Sequence, residues 1–295
     1  MTKCTVAATQ MMCQLDKEKN IEKAKGLVKR AATEGANIIL LQELFSSLYF
    51  CQEVDYKYFK WATPIESNPM IQEMSQLAKE LKVVLPISFF EKSNEMFYNT
   101  VAVIDADGTM LGKYRKSHIP DDPGYYEKFY FSPGDTGFKV WETAYAKIGV
   151  GICWDQWFPE ASRIMALMGA QLLFYPTAIG TEPGDAEEVL QLPIINRRWQ
   201  TAMIGQSLDN MLPVIASNRT GVEKVGSTSI RFFGTSFITN AFGEVVQEMG
   251  ENEEGIILAE LDLDEAPKTR VLRFRDRRPD LYGTLLSKDG IIRNL

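Results

Sequence analysis

The sequence predicts an α/β fold in one domain, residues 1–295, and three observations carry that expectation. Apolar runs of strand length alternate with helical periods through the first half of the chain. The pattern then becomes strand-rich toward the C-terminus. No internal repeat, low-complexity tract or Pro/Gly/Ser-rich linker interrupts it. Apolar strands of this kind stay folded when helices cover their sheets.

The elements follow in order. CTVAATQ reads as a first strand. Ile21, Ala24, Leu27, Val28, Ala31 and Ala32 then recur with a 3.6-residue rhythm, which predicts a helix ending near Gly35. ANIILLQE, Ala36 to Glu43, is a continuous apolar run closed by a polar pair, as in a strand covered on both faces. Ile71, Met74, Leu77, Ala78 and Leu81 mark a second amphipathic helix. VVLPISFFEK and MFYNTVAVIDADG are strands, and DADG is the turn before TMLGKYRK. A long loop, SHIPDDPGYYEKFYFSPGDTG, precedes the strands FKVWET and AKIGVGIC. A helix then starts near Pro159 and stops at Gly169. AQLLFYPTA is another buried strand, and a helix spans roughly Glu187 to Asn210 with an interruption near Pro193. MLPVIASNR, a hairpin-like pair within GTSFITNAFGEVVQEMG, GIILAELDLD and a short helix from Asp264 to about Phe274 complete the expectation. From about residue 276 the tail RRPDLYGTLLSKDGIIRNL reads as an extended arm.

The formal net charge is −7, and there is no basic run, which argues against nucleic acid as a partner. No apolar run reaches the length of a membrane span, and MTKCTVAATQ lacks a signal-peptide pattern. Cys4, Cys13, Cys51 and Cys153 show no paired spacing, so a reduced, cytoplasmic setting is expected. His118 is the sole histidine, which excludes a multi-histidine zinc site.

Three residues stand where an apolar run meets a loop: Glu43 after IILLQ, Lys116 after GKYR and Cys153 after IGVGI. Reactive groups of α/β folds gather at such strand ends. Each alone is also what a solvated acid, a surface lysine or a core thiol looks like. Together they make a base, a cation and a nucleophile sufficient for acyl transfer without a metal or organic cofactor. A backbone N–H just after the cysteine and the ammonium can hold a developing oxyanion.

LQELF, YRKSHIP and GVGICWDQWFPE, in this order, resemble the nitrilase (carbon–nitrogen hydrolase) superfamily, and the agreement runs from VAATQ to LDLDEAPKTRVLRFRDRRPDLY. GYYEKFYFSPGD, LLFYPTAIG, PVIASNRTG and GTSFITNAFGEVV add to it. LYFCQ, CWDQWFPE and YPTAIGTEP are similar to the branch of amidases that act on carbamoyl amines. The resemblance implies a four-layer α-β-β-α sandwich. It implies Cys153 as nucleophile, Glu43 as general base, Lys116 as transition-state cation and Glu127 as a second carboxylate that positions the substrate. The N–H of Trp154 would complete the oxyanion site. The implied substrate is a small cationic carbamoyl amine, hydrolysed through a cysteine-linked intermediate to amine, carbon dioxide and ammonia. The neighbouring alternatives are another N-carbamoyl amine or amino acid, an ω-amide, or a non-catalytic binding protein of this fold.

A distal ammonium wants a carboxylate and aromatic walls. Glu182 is the first candidate partner and Asp155 the second, with Tyr125 and Trp154 as walls. A substrate carboxylate would instead call for an arginine, Arg219 first. MIGQSLDN, with Gln206, Ser207 and Asp209, departs from the GHA-type segment common in the family. The resemblance further implies a homo-oligomer, dimeric or higher, packed through outer helices and C-terminal arms.

Overall fold

The computed structural model describes residues 2–181 and 186–291, with backbone alone over 186–196 and at 267 and 268. The chain starts with β1 (Lys3–Gln10), α1 (Lys17–Thr33) and β2 (Ile38–Leu40). Then come α2 (Pro69–Leu81), β3 (Leu85–Ser93), β4 (Met96–Ile104) and β5 (Met110–Arg115). A one-turn helix, α3 (Glu127–Tyr130), lies inside the long loop. It is followed by β6 (Val140–Glu142), β7 (Lys147–Val150), α4 (Pro159–Leu167), β8 (Leu172–Pro176), β9 (Gly180–Thr181) and α5 (Ala186–Asn210). The last part holds β10 (Val214–Ser217), β11 (Thr220–Val225), β12 (Thr228–Phe233), β13 (Phe237–Thr239), β14 (Val245–Glu248), β15 (Gly255–Asp262) and α6 (Pro267–Arg275).

Residue parity builds the layers, because successive side chains of a strand face opposite ways. One sheet has the order β15-β1-β2 and continues into β3-β4-β5 across the bridge between Ile38 and Val84. The other has the order β14-β13-β10-β8-β7-β6. Val6, Ala8, Ile38, Leu40, Val101 and Val103 of the first pack against Ile148, Val150, Leu172, Phe174, Ile215 and Ile238 of the second. The alternate residues face outward. Ala7, Ile39, Leu85 and Ile87 receive α1 and α2 through Ala24, Val28, Met74 and Leu77. Leu173, Tyr175, Val214 and Ala216 receive α4 and α5 through Met165, Ala166, Trp199 and Met203. The result is the α-β-β-α sandwich. Each fully buried Val, Leu or Ile contributes roughly 1.5–3 kcal/mol, so a one-residue slip of β1 or β8 would forfeit two interfaces at once.

The structure departs from the sequence expectations in five places. The strand expected over 36–43 stops at Leu40, because the chain turns through Leu44 at φ 49°. The helix expected to break near Pro193 runs unbroken from Ala186 to Asn210. The hairpin of β11 and β12, which also pairs with β9, was not anticipated. The loop before β6 contains α3. The tail forms two single helical turns, Pro279–Leu281 and Gly283–Leu286, instead of an extended arm.

Candidate active site

Parallel strands bring their carboxyl ends to one place. β1 and β2 are parallel, as are β7, β8 and β10. Glu43 lies three residues beyond β2 and Cys153 three beyond β7. Lys116 follows β5 directly, its N–H donating to Asn99 O at 2.8 Å. The Lys116 ammonium sits between two carboxylates, 2.8 Å from Glu43 Oε1 and 2.7 Å from Glu127 Oε2. All three side chains are fully buried. Asn99 Nδ2 donates to Glu43 Oε1 at 2.6 Å, and Tyr49 O–H donates to Glu127 Oε1 at 2.6 Å. Glu43 Oε2 is buried with no hydrogen-bond partner among the described residues.

Cys153 is buried in a left-handed turn at φ 41°, and its Sγ is 3.8 Å from Ala178 O. A non-glycine residue held there costs on the order of 1–3 kcal/mol, which the surroundings must offset. The turn is tight on its inner side: a Cβ at Gly151 would lie 2.6 Å from the Tyr175 ring, so only glycine fits. Cys153–Trp157 forms a short 3₁₀ turn. The first N–H groups of such a turn have no acceptor within it, and Trp154 N–H is one of them.

The electrostatics follow from burial and from an excess of acid. Burial pushes the Cys153 thiol well above its usual range, Glu43 and Glu127 push it further, and Lys116 offsets only part. That balance favours the thiol over the thiolate. Burial alone would lower Lys116, but Glu127 and Glu43 hold its ammonium well above normal. Burial raises Glu127 to about 7, with Lys116 opposing and Glu43 reinforcing. Such a pocket keeps one cation fixed and offers a bare carboxylate oxygen near a protonated thiol.

The structure brings Tyr125 to this pocket. Its hydroxyl donates to Gly180 O at 2.9 Å and accepts from Gly180 N–H at 2.8 Å, and its ring lies 5.6 Å from that of Tyr49. Cys153, Glu43 and Glu127 all act on it electrostatically. Trp154 is half-buried, with its ring 6.4 Å from that of Trp157. Glu182 lies outside the described residues.

Two expectations are corrected. Asp155 is fully buried and its carboxylate is saturated: Oδ2 accepts from Tyr114 O–H at 2.8 Å and Ile152 N–H at 2.9 Å. Its Oδ1 accepts from His118 N–H at 3.1 Å and meets His118 Nδ1 at 2.7 Å. It ties the Lys116 segment to the Cys153 turn and has no oxygen left for a substrate ammonium. Arg219 is also fully buried, committed to Glu223 and to the carbonyls of Glu43, Leu44 and Ser47. It has no face left for a substrate carboxylate.

The departure at Gln206 has a structural explanation. Gln206 Nε2 donates to Gln156 O at 2.5 Å, and Tyr175 O–H donates to Gln206 Oε1 at 3.3 Å, so the residue braces the nucleophile turn from behind. Sequence reasoning passed over Tyr49, Asn99 and Glu223. A polar Asn99 at a fully buried position of an apolar strand was the available signal.

Known proteins resemble the chain over nearly its whole length. The sequence profile described as "Carbon-nitrogen hydrolase" matches residues 5–271. The chain is 52% identical over 295 residues to the N-carbamoylputrescine amidase of Oryza sativa subsp. japonica, covering 98% of this chain and 96% of that one. It is 46% identical to the citrullinase of Francisella tularensis subsp. tularensis, covering 98% and 100%. The crystal structure of a carbon-nitrogen hydrolase from Helicobacter pylori G27 superposes with a TM-score of 0.90 at 40% identity, covering 97% and 99%.

Proposed function

The chain belongs to the carbon–nitrogen hydrolase family, and we propose that it hydrolyses N-carbamoylputrescine to putrescine, carbon dioxide and ammonia. The enzyme class, a hydrolase of non-peptide carbon–nitrogen bonds, comes with the family. The observation that carries the site assignment is the Lys116 ammonium clasped by Glu43 and Glu127 beside the Cys153 thiol, with Glu43 Oε2 unpartnered. Identity of 52% to the rice amidase supports the substrate.

In this reading Glu43 takes the thiol proton as Sγ attacks the ureido carbonyl carbon. The carbonyl electron pair moves to oxygen. Lys116 Nζ and Trp154 N–H hold that oxyanion, each well-placed donor contributing about 3–4 kcal/mol. Glu43 passes the proton to the leaving nitrogen, the C–N bond breaks, and a thiocarbamate on Cys153 remains. Glu43 then deprotonates a water, which attacks the same carbon. The C–S bond breaks, the thiol regains its proton, and the released carbamic acid gives carbon dioxide and the second amine. Glu127 fixes the Lys116 ammonium, with Tyr125 as one wall of the pocket. Glu182 is assigned the distal ammonium on its charge alone.

The citrullinase relative supplies a second reading, a ureido substrate that also carries a carboxylate. Commitment of Arg219 to Glu223 and to loop carbonyls weighs against it. Ammonia release from N-carbamoylputrescine, citrulline and N-carbamoyl-β-alanine, each offered to the purified protein, decides the matter. At least tenfold higher kcat/KM for the first is expected, with none left in Cys153→Ser. Preference for N-carbamoyl-β-alanine would overturn the cationic pocket, and preference for citrulline, which keeps an ammonium, would overturn the choice of substrate.

Self-association is proposed on the apolar residues that α4, α6 and the tail leave outside. Ile164, Leu167, Met168, Val271, Leu272, Leu285 and Leu286 are all exposed. Arg270 donates to Ala166 O and Ala170 O, which joins α6 to the end of α4 in one surface. A patch of this kind is rare on a monomer. Light scattering is expected to give at least twice the 33.4 kDa chain mass, and a monomer at micromolar concentration would refute the proposal. Among the described residues no helix is long and apolar enough to cross a membrane.

A further inference from the structure

We infer that Arg219 and Glu223 act as a positioning pair that sets both carboxylates of the pocket, an inference that rests on the hydrolytic reading above. Both side chains are fully buried, and Arg219 Nη1 lies 2.8 Å from Glu223 Oε1 and 3.0 Å from Oε2.

The rest of the guanidinium grips one turn. Nη2 donates to Glu43 O at 2.9 Å and Leu44 O at 2.7 Å, Nε to Glu43 O at 3.3 Å, and Nη1 to Ser47 O at 3.0 Å. These carbonyls belong to the segment that leaves β2, where Leu44 is held at φ 49°. A turn that aims three carbonyls at one point needs several donors in a fixed planar array, which arginine has and lysine lacks.

Glu223 reaches the other carboxylate. Its Oε2 accepts from Tyr49 N–H at 2.7 Å, and Tyr49 O–H donates to Glu127 Oε1 at 2.6 Å. One buried ion pair thus touches the backbone that carries Glu43 and, through Tyr49, the carboxylate of Glu127. It sits behind the pocket, on the hairpin side, and all three guanidinium nitrogens are occupied. Such a pair governs where the proton acceptor stands. It does not govern how tightly substrate binds. A displacement of about 1 Å in a reacting group is enough to cost roughly 100-fold in rate.

The test is Arg219→Lys in the full-length protein. Turnover is expressed per folded chain, quantified by circular dichroism on protein isolated by size exclusion, so that loss of folded protein does not enter. The expected result is a kcat about 10- to 100-fold lower with KM within about twofold of the parent. An unchanged kcat per folded chain would overturn the inference, as a merely structural pair. A tenfold rise in KM at unchanged kcat would overturn it as a substrate contact. If Arg219→Lys does not fold, Glu223→Gln, which removes the charge and replaces one of the two carboxylate oxygens by an NH2 donor, is read by the same criteria. Failure of the functional reading shows separately, as a parent protein silent on every carbamoyl substrate. The rate of Cys153 alkylation at pH 8 then decides. Carboxylates moved away from the thiol relax their hold on its proton and should raise that rate more than threefold. An unchanged rate would overturn the inference.

Discussion

Arg115 and Lys116 are neighbours in sequence, yet they end in opposite electrostatic settings. Arg115 joins Glu91 and Asp135, with Nη2 to Glu91 Oε1 at 2.8 Å and Nη1 to Asp135 Oδ1 at 2.9 Å. Lys113 also pairs with Glu91, and Thr100 O–H donates to Glu91 Oε2 at 2.7 Å. Two cations meet two carboxylates, and Glu91 is surrounded by donors. Among the described residues Lys116 is the one cation on two carboxylates, all three side chains fully buried, with the thiol acting on them electrostatically. Burial pushes both glutamates upward. At Glu91 hydrogen bonds from Arg115, Lys113 and Thr100 win and the carboxyl falls below its usual range. At Glu127 burial wins and the carboxyl rises. Balance of charge and water, rather than residue type, separates an ionic cluster that holds a sheet edge from one that can move a proton.

Substitution at the two cations should break the comparison most visibly. Lys116→Gln leaves two buried carboxylates without their cation. Turnover should fall by at least about 10²–10³-fold and stability by about 3–5 kcal/mol. Arg115→Gln removes one of the two cations from the buried Glu91, which keeps Lys113 and Thr100 as donors. It should cost about 2 kcal/mol while leaving kcat within twofold. Equal losses of kcat in steady-state assays of the two proteins would erase the distinction.

The pH dependence of stability sharpens it with smaller effects of opposite sign. Glu127 is raised in the fold, so the native state binds more protons than the unfolded chain between the ordinary carboxyl range and about pH 7. Its contribution is full below that range and is lost as pH rises through about 7. Glu91 is lowered, so its contribution is present above the ordinary range and is lost as pH falls through its folded value. In urea titrations from pH 4 to 8, Glu127→Gln should flatten the loss toward neutral pH. Glu91→Gln should flatten the loss toward acid. Identical slopes in both variants would contradict the assigned balance.

The buried strands under helices were legible because burial writes itself locally, while the four-layer sandwich came with the family resemblance. Runs such as IILL and LLFY are apolar at every position only where both faces of a strand are covered, and parity then assigns each residue to a layer. Glu43 and Cys153 were legible for a related reason: each ends such a run, where a parallel sheet exposes chemistry, while Lys116 ends the mixed strand MLGKYR, which pairs antiparallel with β4. Glu127 came only with the family resemblance, because GYYEKFYF sits in a loop with no period to read. The hairpin of β11 and β12 escaped because TGVEKVGSTSIRFF mixes polar and apolar residues without a clean apolar face.

The sequence by itself determined the buried strands, their ends and the kinds of group available there, since each depends on neighbours a few residues apart. Tertiary structure alone decided their states and partners. Asp155 was legible as an acid beside the nucleophile, but only the approach of Tyr114 and His118 made it a clamp. Arg219 was legible as a cation, but only the turn at Leu44, 175 residues away, took up its donors. Hydrogen bonds reach about 3 Å and screened Coulomb interactions about 10 Å in space, and distance along the chain does not determine which groups come that close.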